Sequence, residues 1–521
     1  MRQEPLRPAG LSARNHSLIA IAVALFAAGC SFQPKYERPA PPVAAAFPSS
    51  GVYATQPAGT PGRSAGGQAA ADIGWKNFFV DERLQRLIEI ALANNRDLRV
   101  SVLNVDQARA QYRITRADLF PTLDASGQES VSRTPKDLSF FGKTISRTYS
   151  VGLDASWEID FWGRIRSLKD QALEQYLSTA QARKAAEISL VSQVADEYLQ
   201  MLAFDDLLKV TEDTLKSAQS SYDLTKLQFD NGTGSELSLR QAETVVEQAK
   251  ANREAQARSR AQAENALALL IGQSLPDDLP PGRSLGDQAL LSDIPAGLPS
   301  DLLTRRPDIM EAEASLRAAN ANIGAARAAF FPKISLTGSA GTESLTLGGL
   351  FKPGSAAWSF TPQISLPIFE GGRNIANLDL ANIQKRIEIA KYEKAIQSAF
   401  RDVADGLAAR STYDAQIGAL ERNTNAEQRA LDLSQLRYRN GVDSYLQVLT
   451  AQTNLYSAQQ SLINARVARL TSLVDLYVAL GGGWVQQTGE TPRPADAGTD
   501  YGSLPAQVPQ GGASGVKAPA S

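Results

Sequence analysis

The sequence predicts a mainly α-helical protein with a small β part, built as a duplicated unit of a strand hairpin followed by a long helical hairpin. Three observations predict this class: an internal repeat, segments in which apolar and polar residues alternate, and proline-free stretches too long for a compact globule. Each unit is therefore expected to contribute two strands and two long helices.

The repeat is visible as matching short segments in one register. Arg116–Pro121 recurs as Arg327–Pro332 at an offset of 211 residues, and later segments recur at an offset of 209. These are Gly163-Arg164 with Gly372-Arg373, Val194–Asp196 with Val403–Asp405, Asn231-Gly232 with Asn440-Gly441, and Ile271-Gly272 with Leu480-Gly481. We therefore assign residues 73–300 to repeat 1 (helix, two strands, long helical hairpin, connector) and residues 301–484 to repeat 2.

Alternation of apolar and polar residues predicts the strands. From Tyr149 to Phe161 every odd position is apolar or aromatic and every even position is polar or glycine, and Trp358–Leu366 alternates likewise. Shorter alternations start at Leu123 and Ile334. One such segment alone would fit a soluble sandwich, but a sandwich needs more strands than this chain supplies.

The long helices are predicted from the absence of breakers. No proline occurs from Arg164 to Phe229, and 66 helical residues would form a rod of about 100 Å. Asn231–Ser235 ends the rod, a second helix returns to Ile271, and Asn440–Ser444 is the equivalent turn. In the returning helix of repeat 2 a coiled-coil seam is predicted at Leu446, Leu449, Thr453, Tyr456, Gln460, Ile463, Val467, Leu470, Val474 and Tyr477.

The two ends of the chain have a different character. Residues 1–29 combine basic residues, a short apolar core and the cleavage site Ala27-Ala28-Gly29-Cys30, which indicates a lipoprotein signal peptide. Cys30 is the only cysteine, so an intramolecular disulfide is excluded, and lipidation is preferred over a buried inert thiol. Ser31 follows it, which favours the outer membrane. Residues 30–72 are interpreted as a lipidated, extended N-terminal segment and residues 485–521 as a disordered tail.

Composition excludes several classes of function. A formal net charge of −2 with no basic block excludes a nucleic-acid partner. The one histidine lies inside the predicted signal peptide, so the commonest acid–base group and metal ligands are missing after cleavage. We therefore expect no enzyme, no metal site and no cofactor other than the covalent lipid at Cys30.

Four amphipathic strands cannot close a membrane barrel, because the smallest barrels use eight strands and a lipid-facing sheet has no open edge. A homotrimer would supply twelve strands. The same symmetry would join the long hairpins into a helical cylinder that continues the barrel into the periplasm. A tube of this kind is built for passage.

Several motifs resemble the TolC-like outer membrane factor family, and more closely its OprM/NodT lipoprotein branch. They are Cys30–Pro39 with Tyr36-Glu37-Arg38-Pro39, Leu298–Ile309 and Phe330-Phe331-Pro332. The resemblance implies a homotrimer with a 12-stranded outer-membrane β-barrel continuous with an α-helical periplasmic barrel. Its partners would be a periplasmic adaptor (membrane fusion) protein, an inner-membrane transporter of the resistance-nodulation-division type, and outer-membrane lipid. Such a protein is a passive exit duct.

Two sets of site residues follow. The adaptor is expected to dock at the tips, Gly232, Thr233, Gly234 and Ser235 in repeat 1 and Gly441, Val442, Asp443 and Ser444 in repeat 2; the alternative is a pair of plain surface turns. In related ducts the helix after the second tip narrows the pore with a leucine ring, an acidic ring and sometimes a basic residue. The matching residues here are Leu446, Thr450 and Thr453, with Asp443 as the remaining acidic contributor to this periplasmic gate. Alternatively, Leu446 and Leu449 are ordinary seam residues.

A structural coiled-coil lipoprotein that tethers the envelope is the competing interpretation. It would share the lipid anchor and the rods, but it would not require alternating strands at equal places in both repeats. Conductance in a planar bilayer separates the two, because a tether gives none.

Overall fold

The computed structural model describes residues 31–55, 69–135, 137, 145–288, 290–291, 299–491 and 494–495. The predicted signal peptide, Cys30 and most of the predicted tail lie outside these residues. The chain divides into two compact units. We call residues 1–41, 105–179 and 311–394 the sheet unit, and residues 42–104, 180–310 and 395–521 the tip unit.

Nine α-helices and four strands make up the regular structure of the described residues. The helices are α1 Trp75–Phe78, α2 Glu82–Asn94, α3 Arg96–Ala117, α4 Arg164–Asp230, α5 Glu236–Ile271, α6 Pro299–Arg305, α7 Pro307–Ala328, α8 Arg373–Arg439 and α9 Tyr445–Ala479. The strands are β1 Thr122–Arg133, β2 Ile145–Ile159, β3 Lys333–Ser344 and β4 Ala356–Ser365. Short 3-10 turns occur at Gly51–Thr55, Ala70–Asp72, Leu285–Asp287 and Leu347–Gly349.

The elements repeat as the sequence does. Helices α3 and α7 have 22 residues each, β1 and β3 have 12 each, and α4 and α8 have 67 each. The equivalent strands β2 and β4 differ, with 15 and 10 residues. The offset between the repeats is 211 residues where the strands begin and 209 residues at the long helices. The change therefore falls in the region of the strands, as predicted from the sequence.

All four strands of the sheet unit form one antiparallel sheet in the order β1-β2-β3-β4. The register puts Leu123 opposite Ala155, Trp157 opposite Leu336, and Ile334 opposite Ile364. Because side chains alternate along each strand, the large apolar residues fall on one face, and Asp124, Asp154, Ser339 and Ser359 on the other. Glu129, Arg133 and Arg147 share the apolar face, so the predicted alternation is coherent over most of the sheet but not at the end of β1 and the start of β2.

The apolar face of this sheet is open in the single chain. Trp358 is 81% exposed, Ile364 70% and Leu123 69%. Large apolar side chains in such a contiguous arrangement normally indicate contact with a partner or a membrane. Strands β1 and β4 are the two edges of the described sheet, and their outer backbone groups have no neighbouring strand.

The core of the tip unit is packed around aromatic rings. Phe78 stacks on Tyr477 with ring centroids 4.1 Å apart, and the Tyr477 hydroxyl donates a 2.6 Å hydrogen bond to the carbonyl of Ile73. Asp81 caps α2 and also accepts hydrogen bonds from the hydroxyl of Tyr198 and the amide of Gln288. A buried carboxylate with this many donors is satisfied, so it ties three segments of the chain together.

The predicted boundary of the C-terminal tail at residue 485 is too early. Trp484 and Val485 are 4% and 5% exposed and pack with Ile188. The carbonyls of Val485 and Gln486 accept hydrogen bonds from the backbone of Trp75 and Lys76. The start of the tail is therefore ordered, because it pairs with a segment about 400 residues away that its own sequence does not indicate.

The predicted seam of α9 is correct only in its second half. Ile463, Val467 and Leu470 are buried, but near the turn the buried positions lie one residue earlier than predicted. They are Tyr445, Val448, Gln452 and Leu455. The stripe is shifted because this end of α9 packs on Ala242 of α5 and Leu431 of α8 at once.

The helices of the described residues include none that is both long and apolar enough to span a membrane.

Candidate functional site

The first tip, Asn231–Ser235, is a tight helix ending followed by a capped helix start. Gly232 has φ +72° and its NH bonds to the carbonyl of Phe229, while the NH of Thr233 bonds to that of Gln228. This bonding satisfies the last carbonyls of α4 and needs a left-handed residue, for which glycine carries the least strain. Ser235 then caps α5 by accepting a 3.1 Å hydrogen bond from the NH of Ser238.

The second tip, Asn440–Ser444, has the same backbone and different side chains. Gly441 has φ +71°, and the NH of Val442 bonds to the carbonyl of Arg437. A Cβ added at Gly232 or at Gly441 would meet no atom within 4 Å. Both tips therefore leave open space in front of the glycine, as close approach by another backbone requires.

The two tips are joined by specific contacts inside the tip unit. The Tyr438 hydroxyl, just before the second tip, donates a 2.6 Å hydrogen bond to the Gln228 side-chain oxygen, just before the first. Tyr445 packs edge-on against Tyr438 with centroids 5.4 Å apart. The structure thus joins the helix ends that flank the two predicted tips.

The predicted gate residues occupy one exposed face of α9. Leu446 is 49% exposed, and Thr450 and Thr453 are exposed too. Their hydroxyls donate to the carbonyls of Leu446 and Leu449, at 2.9 and 3.0 Å. Leu446 therefore lies outside the seam within the chain, whereas Leu449 packs against it. Interpreting both as ordinary seam residues is wrong for Leu446.

Asp443 has a partner that the sequence did not reveal. Its carboxylate accepts two hydrogen bonds from the Arg437 guanidinium, at 2.5 and 3.0 Å. The hydrogen bond from Arg437 lowers the pKa of Asp443, so the group is ionised in any physiological buffer. The pair is solvent-exposed and adds little stability. The charge of Asp443, the expected acidic contributor to the gate, is nevertheless paired with that of Arg437 from the same chain.

Further from the tips, α4 and α9 hold an acidic pair in the tip unit. Burial, and next the neighbouring charge of Asp475, raise the pKa of Asp196 to about 7. One carboxylate oxygen of Asp196 has no hydrogen-bond partner among the described residues, and the other accepts from Ser192. This pair could not be predicted from local sequence, because it depends on contacts between helices.

Cys30 lies outside the described residues, but the segment that follows it is fixed to the sheet unit. Phe32 stacks on Phe331 at 4.5 Å, and Pro34 accepts a hydrogen bond from Asn320. Arg38 makes a two-point contact with Glu313 at 2.9 and 2.8 Å. The motif Cys30–Pro39, on which the family resemblance rests, includes Phe32, Tyr36 and Arg38. These residues attach the N-terminal segment to the sheet unit.

Within the described part of the chain, no three histidine, cysteine or acidic side chains are grouped as a metal site would require. The features available for function are the two exposed tips, an exposed face of α9 and an amphipathic sheet with open edges. These features suit contact with a partner and with a membrane.

Comparison with known proteins agrees with this geometry. The family model described as outer membrane efflux protein matches residues 87–273 and 298–482. The probable efflux pump outer membrane protein TtgC of Pseudomonas putida is 50% identical over 489 residues, covering 93% of this chain and 99% of the relative. Outer membrane protein OprJ of Pseudomonas aeruginosa is 45% identical, covering 89% of this chain and 95% of the relative.

A solved structure gives the same result. The MtrE outer membrane channel of Neisseria gonorrhoeae, in its open state, superposes with a TM-score of 0.78 at 42% identity. The match covers 88% of this chain and all of that one.

Proposed function

Because the chain belongs to the outer membrane efflux protein family, a family of non-enzymatic transport components, we propose that three copies form the passive exit duct of a tripartite pump. The chain is an outer membrane channel component of an efflux pump; what we propose is how it assembles, opens and meets its partners. Substrate would be delivered by an inner-membrane transporter through a periplasmic adaptor.

The observation that carries the proposal is the four-stranded sheet with two unpaired edges and one apolar face. Three such sheets joined edge to edge give twelve strands, enough for a closed barrel, and leave no unpaired backbone in lipid. Transfer of each large apolar side chain from water to lipid would contribute about 1.5–3 kcal/mol. The 67-residue helices, about 100 Å long if straight, would form the periplasmic part.

A lipid at Cys30 is part of the proposal. Phe32, two residues further on, is held by Phe331, and two residues span at most about 7 Å. The acyl chains would therefore start close to the sheet unit. Cys30→Ser should abolish metabolic labelling with palmitate, and retained label would remove the anchor from the proposal.

Cysteine cross-linking of the sheet edges tests the assembly. One cysteine replaces Asp124 on the polar face of β1, and a second is scanned over Ser359, Thr361 and Gln363 on the polar face of β4. At the correct register, oxidation should give a ladder that ends at three chains, and either cysteine alone should give none. A ladder that ends at two chains or continues beyond three would contradict a closed trimer.

A further inference from the structure

Two arginines lie on the apolar face of the sheet, at the end that is far from the helices. Arg133 is the last residue of β1, and Arg147 is the third residue of its antiparallel neighbour β2. Arg133 lies opposite Ile145, and Arg147 lies opposite Val131, so the two arginines are diagonal neighbours on one face. Diagonal neighbours are about 7–8 Å apart at the backbone, which lets two long side chains reach the same ligand.

Neither guanidinium has a partner in its own chain. Both arginines are exposed, and neither forms an ion pair or a side-chain hydrogen bond with any residue that the structure describes. Glu129 is the one carboxylate on this face of the described sheet; it lies opposite Tyr149, diagonal to Arg147, and forms no ion pair with it. Two arginines against one carboxylate leave this end of the face positively charged.

Aromatic residues indicate the level at which the arginines would meet a membrane. Tyr149 of β2 and Trp358 of β4 occupy equivalent positions, 209 residues apart, and both belong to the apolar face. Outer-membrane barrels carry a girdle of such residues at each edge of their apolar band. Arg147 is one side-chain position beyond Tyr149, further from the helices. The arginines therefore lie just outside the outer girdle, at the level of the lipid headgroups.

The length of β2 agrees with this placement. Trp157 is on the same face near the helices, and ten residues separate it from Arg147, which is about 34 Å along the strand. A strand tilted by about 40° then crosses about 26 Å of membrane, and the apolar band of such barrels is about 25 Å tall. A cation in the middle of that band is destabilising, whereas a cation at its border is tolerated. The arginines are thus at a depth where a charged side chain contacts headgroups.

The second hairpin has no such pair. Offsets of 211 and 209 residues place Ser344 and Ala356 at the positions equivalent to Arg133 and Arg147. Both hairpins would face the same membrane, so the sheet itself does not require arginine at this level. The pair therefore occurs once in each chain, on the hairpin of β1 and β2.

We propose that Arg133 and Arg147 bind a phosphate group of the outer-leaflet glycolipid, the lipid A part of lipopolysaccharide. The inference rests on the proposed function, because the apolar face meets lipid only if it forms the outside of a membrane barrel. Guanidinium groups present a fork of donors that matches phosphate oxygens, and the phosphate supplies the negative charge that the pair lacks. A trimer would hold three such lipids, one on each chain.

Native mass spectrometry of the assembled protein in detergent tests this contact. The probes are lipid A with two phosphates and lipid A from which both phosphates have been removed. The parent should retain up to three copies of the phosphorylated lipid, with at least a tenfold preference over the dephosphorylated one. Equal retention of the two lipids would overturn the inference. Displacement of the phosphorylated lipid by inorganic phosphate would also overturn it, because the site would then be one for a free anion.

Arginine variants provide the second readout. Arg133→Gln with Arg147→Gln should lower the preference for the phosphorylated lipid at least fivefold. Arg133→Lys with Arg147→Lys should keep part of the preference, because the charges remain but the forked donors are lost. Arg113→Gln with Arg116→Gln removes two exposed arginines of α3 in the same unit. This matched control should bind as the parent does, and a full preference in the Arg133/Arg147 glutamine variant would overturn the inference.

The headgroup site and the proposed function fail in different ways. The mass of the complex reports whether the same samples are trimers, and conductance in a planar bilayer reports whether they insert. A trimer that conducts but does not discriminate phosphorylated lipid A would overturn the headgroup site and leave the duct intact. A protein that neither forms trimers nor inserts would overturn the proposed function, and the headgroup site with it.

Discussion

The environment of Asp196 leads to a definite prediction about how the stability of the protein depends on pH. Burial and the charge of Asp475 raise its pKa to about 7, well above its value in an unfolded chain. The folded state therefore keeps a proton that the unfolded state has already lost. Its contribution to stability is fully present below about pH 4 and is lost as the pH rises towards 7.

Asp196→Asn should remove this loss. We expect the variant to be more stable than the parent at pH 8 by on the order of 2 kcal/mol, and equal to it near pH 4. Thermal unfolding of the detergent-solubilised protein at both pH values measures the difference. Asp405→Asn, at the equivalent position of repeat 2 and exposed, is the matched control. An Asp196 variant that loses stability at pH 8 would show that its carboxylate is ionised and paired.

Sequence reasoning was weakest at the scale of single residues. Leu446, Thr450 and Thr453 were assigned from the resemblance to related ducts, and the structure places all three on an exposed face. The Arg437 partner of Asp443 was missed, because it depends on the turn folding back over six residues. Tyr445 was missed because its burial depends on α5 and α8 together.

Among the elements, the tips are the ones that bear most on function. Gly232 and Gly441 have positive φ and open space in front of them. Replacement of both by tryptophan should abolish efflux, because the adaptor could no longer approach, while assembly is spared. Double replacement by alanine carries similar backbone strain, about 1–2 kcal/mol per position, without the bulk, and should largely retain efflux. Drug susceptibility of cells and trimer content of membranes are the readouts. Normal pumping by the tryptophan variant would place docking elsewhere.

The gate at the start of α9 is predicted to lack acidic character. Thr450 and Thr453 are neutral, and Asp443 is matched by Arg437. A trivalent cation added from the periplasmic side should block single channels of the parent weakly. Thr450→Asp should be blocked strongly, because three carboxylates would face one axis, and Arg437→Gln should be blocked to an intermediate degree because Asp443 is released. Strong block of the parent that survives Asp443→Ala would reveal an acidic ring elsewhere and contradict this gate.

The extent of each element followed closely from local sequence. Proline-free alanine-rich stretches gave the long helices to within a residue or two, and alternation located all four described strands. Strands β1 and β3 are as long as 12 residues, although their sequences alternate less clearly, because each is paired along its length with β2. Pairing of distant segments, as in the ordered start of the tail, is invisible to local patterns.

At the scale of the whole molecule, the single chain is incomplete in a specific way. Its sheet has two open edges and an exposed apolar face, and the gate leucine points away from the packing of its own chain. The proposed trimer would resolve each of these features, because edges would pair with edges, the apolar face would meet lipid, and the leucines would converge on one axis. A tethering protein would need none of them.

Single-channel recording of the purified protein in a planar bilayer tests this account most directly. We predict rare, small openings for the parent and a larger conductance for Leu446→Ala, because the apolar ring that closes the duct is removed. Leu237→Ala, at an exposed leucine just after the first tip, should behave as the parent does. Absence of conductance in the parent and in Leu446→Ala, from protein that is assembled and inserted, would contradict a duct and favour a tether.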